Sequence, residues 1–174
     1  MYLAILMGMI TMLNLTPGLD EIKQRFDLAA KNSTEARSLF KVLSDMNLQP
    51  DQRIYAWWGA TETLLAKDAL LPTTKLSLLD KGMEKINASL KRFPDDPEIV
   101  LLRFTVQSQV PSFVGRSGNL EADKQFLMKK MKQLYQAGDC RFLGYLAPRM
   151  KYTGALNKQE QTLLDTWMHN CNRK

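Results

Sequence analysis

Arg103 lies in the most apolar stretch of this 174-residue chain, Ile99-Val100-Leu101-Leu102-Arg103-Phe104. A guanidinium placed there needs an acidic or carbonyl partner, because a buried charge left unpaired costs on the order of 3–5 kcal/mol. Asp123 and Glu98 are the candidate carboxylates, and a structural ion pair between Arg103 and Asp123 would fix the register of two successive helices. The loop Pro111-Ser112-Phe113-Val114-Gly115-Arg116-Ser117-Gly118 offers an aromatic ring, a cation and free backbone amides. Loops carried on rigid scaffolds use such groups for binding, so Arg103, Phe113 and Arg116 are the candidate binding residues. The remaining chemistry-bearing types do not assemble. His169 has no nucleophile or second ligand spaced around it. Cys140 and Cys171 are too few for zinc, which takes three or four ligands in paired spacing. Neither a Gly-rich phosphate loop nor G-x-S-x-G occurs, and the carboxylate pairs Asp95-Asp96 and Glu121/Asp123 fall at helix starts, where capping accounts for them. No catalytic residue, metal site or cofactor is expected.

Helices must position these residues, since no stretch alternates with period two while apolar residues recur at three- and four-residue steps from Leu19 onward. Leu19, Ile22, Phe26 and Ala29 mark a first helix, and Asn32-Ser33-Thr34 turns the chain and caps a second bearing Ala36, Leu39, Phe40, Leu43 and Met46. Pro50-Asp51 separates this from a third, with Ile54, Trp57, Trp58, Leu64 and Leu65. Pro72 opens a long fourth helix whose seam runs Leu76, Leu79, Met83, Ile86, Leu90 and Phe93. Asp96 caps a fifth, Pro97 suits its first position and Glu98 favours its dipole. That fifth helix is apolar nearly all round and so is expected between layers. Asn119 is expected to cap a sixth helix, with Leu120, Leu127, Met131 and Leu134, which Gly138-Asp139 ends. Two more follow, one with Phe142, Leu143, Leu146 and Met150, the other with Leu163, Leu164, Trp167 and Met168. Antiparallel pairing of these last two brings Cys140 and Cys171 to the same end, where a disulfide is geometrically open to them.

With 45% apolar and 24% charged residues, the chain is one globular domain with a full core. The 24 Lys and Arg against 18 Asp and Glu leave a formal charge of +6, yet acids and bases alternate in most segments, which is not the one-sided basic face of a nucleic-acid binder. Lys129, Lys130 and Lys132 alternate with Met128, Met131 and Leu134 at helical spacing, as on a solvated helix face. Residues 1–18 read as a signal peptide. Tyr2 to Leu13 is apolar apart from Gly8 and Thr11, too short to span a membrane, and helix breakers follow at Asn14, Pro17 and Gly18. A buried first helix is the other reading of the same stretch.

Helix pairs joined by short Pro-containing turns suggest an α-solenoid, and Gly82, Ser89 and Pro94 match the spacing by which the tetratricopeptide pattern places small residues before a proline. Tyr55, Trp58 and Gly59 stand in places like those of its first helix, about eleven residues too far upstream for the regular period. The stretch Trp57 to Lys124, with WWGATETLLAK, P-x-x-K-L at Pro72 to Leu76, PEIVLLRF at Pro97 to Phe104, P-x-F-x-G at Pro111 to Gly115 and Glu121-Ala122-Asp123-Lys124, resembles an uncharacterised family of tetratricopeptide-like exported proteins of Bacteroidetes-type bacteria. The resemblance implies fold and export, and no reaction. The expectation is therefore an all-α, right-handed helical-hairpin solenoid of about eight helices over residues 19–174, degenerate and tetratricopeptide-like. Its expected role is that of a non-enzymatic protein- or peptide-binding scaffold in the bacterial envelope, periplasmic or secreted, without stable membrane insertion once the signal is cleaved. The alternatives are a small-ligand receptor or enzyme using Arg103 and Arg116, and a cytosolic adaptor.

Overall fold

Local chemistry sets the helix ends. In the computed structural model, which describes residues 17–46, 51–111, 114–115, 117–171 and 173, eight helices occur in the order α1 Leu19–Ala29, α2 Ser33–Asp45, α3 Gln52–Leu65, α4 Pro72–Arg92, α5 Pro97–Ser108, α6 Leu120–Ala137, α7 Cys140–Tyr152 and α8 Lys158–Cys171. Among the described residues no strand is present, so the class is all-α. The side chains of Asn32, Asp51 and Asp96 each accept two backbone N–H bonds at the starts of α2, α3 and α5, satisfying donors that a helix leaves free. Gly138 ends α6 at φ +74°, a left-handed conformation suited to a residue without Cβ. Asn119 differs from expectation: its backbone is already near-helical (φ −102°, ψ −1°) and its side chain makes no cap bond to α6.

Successive helices pack as neighbours, and α3 also packs on α1, α5 on α3, α7 on α5, and α8 on α6. The odd-numbered helices thus form one unbroken row. Among the described residues no Cα of α2 comes within 8 Å of α4, nor of α4 and α6. The α3–α4 contact is the closest, because a Cβ on either Gly59 or Gly82 would stand only 2.5 Å from the other's carbonyl oxygen. Central α5 has Ile99, Val100, Leu101, Leu102, Phe104 and Val106 all buried, which explains its apolar character on every side.

Three residues assigned to apolar seams are instead exposed: Leu76, Phe93 and Leu163. For Leu76 the reason is length. Helix α4 has 21 residues against 14 in α3 and 12 in α5, so at about 1.5 Å per residue it overshoots its neighbours by roughly 10 Å. Residues 72–77 are all exposed, and the first buried side chain is Leu79. Among the described residues no helix is long and apolar enough to cross a membrane.

Candidate functional site

Arg103 projects from α5 between α4 and α6. Its Nε and Nη2 donate to the two carboxylate oxygens of Asp123 at 2.8 and 2.6 Å, and Nη1 donates to Asn87 Oδ1 on α4 at 3.3 Å. The Arg103 side chain is 20% exposed and that of Asp123 only 5%. This two-pronged pair matches the planar fork of a guanidinium to a carboxylate and ties α4, α5 and α6 together. Glu98, the other acid considered for Arg103, is used elsewhere: Lys23 Nζ on α1 bonds it at 2.7 Å. Beside Asp123, Lys124 bridges Glu121 at 2.9 Å and Glu160 at 3.3 Å, linking α6 to α8. Hydrogen bonding to Glu121 holds the Lys124 ammonium above its ordinary range, and the bonds from Lys124 and Gln125 hold the Glu121 carboxyl below its own.

Two further polar clusters escaped the sequence reading. On α3 and α4, buried Glu62 accepts a 2.6 Å bond from Lys85, whose ammonium also lies 4.5 Å from the centre of the Trp58 ring. The available signal was a lone acid in apolar α3, the same kind of signal that picked out Arg103. The second cluster joins α1, α5 and α7. Tyr145 has the Lys23 ammonium 5.3 Å and the Arg149 guanidinium 4.0 Å from its ring centre, and Arg149 pairs with Asp27. The Tyr145 hydroxyl is buried and finds no hydrogen-bond partner among the described residues. Burial, reinforced by Glu98, Asp27 and Asp20 and opposed by Arg149, pushes this phenol well above the ordinary tyrosine range. Side chains of α1 and α7 therefore meet across the row of odd helices, over α5.

Cys140 and Cys171 form a disulfide, their Cα atoms 5.4 Å apart, joining the start of α7 to the end of α8. His169 is exposed on α8. Phe113 and Arg116 lie outside the described residues, as does the apolar segment 1–16, so nothing here joins the loop pair to Arg103. The two best-formed surface depressions among the described residues are both shallow and open to solvent. One lies along α8 at Lys158, Thr162 and Thr166, the other beside the α4–α5 turn at Arg53, Phe93 and Asp96. Comparison with protein families, with curated proteins and with solved structures finds no match to this chain.

Proposed function

We propose that the chain is an exported, tetratricopeptide-like helical-hairpin domain that serves as a non-enzymatic protein- or peptide-binding scaffold in the bacterial envelope. The observation that carries this reading is the continuous row α1–α3–α5–α7 with the even helices set on its outer side. Stacked hairpins offer extended surfaces to partners. The closely packed small residues Gly59 and Gly82 support the tetratricopeptide likeness, because in such hairpins small residues let two helices approach. The Cys140–Cys171 bond supports export, since disulfides persist in oxidising compartments.

The inner face of the row is closed by the α1–α7 contacts, so the partner surface is placed on the outer side, along α4 and α6 around Arg103. The guanidinium itself, already bonded to Asp123 and Asn87, acts there as a structural tie. Photo-crosslinking residues introduced in the native host at exposed Lys81 on α4 and Gln125 on α6 test this. Discrete crosslinked species in the envelope fraction are expected from both positions and not from Thr166 on α8. Crosslinks no different from those at Thr166 would overturn the reading. Intact-mass measurement of the same material should give a chain beginning between about Asn14 and Asp20, and a full-length cytoplasmic protein would remove the export claim.

A further inference from the structure

The exposed apolar side chains gather at one pole. Among the described residues the large ones are Leu28, Leu70, Leu71, Leu76 and Tyr152, which lie at or beside the turns α1–α2, α3–α4 and α7–α8, and Phe93 and Leu163, which lie elsewhere. Each of those turns joins an odd helix to the even helix after it, so in an up-and-down array they share an end. Direct contacts hold the first two together: Lys67 Nζ donates to the Ala30 carbonyl at 3.2 Å, and Ser33 and Arg37 both bond Asp68 at 2.8 Å. From this end the overshooting first turns of α4 project, with Leu70 95% and Leu71 63% exposed at the tip.

Charge surrounds the leucines. Lys31, Arg37, Lys67 and Lys75 are all exposed there, and Asp68, the acid among them, is already bonded to Arg37 and Ser33. A projecting pair of leucines ringed by cations fits an interface that is apolar below and anionic above. A second copy fits poorly, because a two-fold contact through this tip would set Lys67 and Lys75 against themselves. We infer that this pole is a peripheral docking site for an anionic lipid surface, where Leu70 and Leu71 enter the headgroup boundary and Lys31, Lys67 and Lys75 meet the headgroups. The inference stands apart from the scaffold reading, since it concerns a different face.

The test uses the full chain. Because Cys140 and Cys171 are bonded to each other, Leu71→Cys supplies a thiol for an environment-sensitive fluorophore. Its emission should shift to the blue with vesicles of phosphatidylglycerol and phosphatidylethanolamine, and the shift should reverse with added salt. In sedimentation with the same vesicles, Lys67→Gln/Lys75→Gln should bind roughly thirtyfold more weakly and Leu70→Ser/Leu71→Ser at least about tenfold more weakly. Binding through the apolar residues 2–13 would be unaffected by either double variant, so unchanged sedimentation of both overturns the proposal. An equal blue shift with phosphatidylcholine alone, or a shift without lipid accompanied by a doubled mass in solution, overturns it as well.

Discussion

Arg103 is tolerated in the most apolar helix because the next helix delivers Asp123 to it with both oxygens aligned, and Asn87 takes a third donor. Arg103→Met keeps much of the volume but strands a carboxylate that is almost fully buried. We expect a loss of about 3 kcal/mol in urea unfolding, with Arg103→Met/Asp123→Asn recovering part of it; an unchanged midpoint for the single variant would show the pair to be dispensable. Tyr145 makes a pH prediction. Its phenol is raised in the folded chain, so its contribution to stability is fully present below the unfolded value of about 10 and is lost as pH rises towards the folded value. Stability should therefore fall through the alkaline range above about pH 10, and Tyr145→Phe should flatten that fall. At neutral pH the same substitution should be neutral or slightly stabilising, because the hydroxyl it removes has no partner among the described residues. Denaturant midpoints measured across the alkaline range check both statements.

At the scale of elements, helix starts separate into those fixed by side chains and those fixed by packing. Asn32 accepts the N–H groups of Thr34 and Glu35, whereas Asn119 accepts none in α6. Asn32→Ala is expected to cost about 1 kcal/mol and Asn119→Ala nearly nothing; equal losses in parallel thermal unfolding would contradict this assignment. Both asparagines look alike in sequence, each standing just before an apolar-periodic run. What distinguishes them is backbone conformation: Asn32 is extended at φ −137° and ψ 111°, while Asn119 already has helical angles, and the loop geometry sets that difference. Helix α4 teaches the same lesson about length. Its seam at three- and four-residue steps reads as continuous from Leu76 to Phe93, yet only the stretch facing the shorter α3 and α5 is covered.

For the whole molecule the disulfide closes the last hairpin and holds α8, whose buried Leu164 and Trp167 pack against α6 and α7. Removing it with Cys140→Ala/Cys171→Ala should cost roughly 3–4 kcal/mol by the chain-entropy argument, and urea unfolding of the oxidised and variant proteins measures it. An identical midpoint would mean that packing alone holds the helix. The all-helical class and most helix ends were legible in the sequence, since periodicity, Pro97, the capping acids and Gly138 act within a turn or two of themselves. So was the requirement that Arg103 find a partner, because it follows from the apolar residues beside it. Which acid it would take was not legible: Glu98 is lost to Lys23, 75 residues away, and Asp123 is brought in by the α5–α6 contact. The Lys85–Trp58 and Tyr145 clusters and the projecting tip of α4 were equally hidden. Each depends on how far one helix extends past another or on which faces meet, and local periodicity records that a face is apolar without recording what covers it.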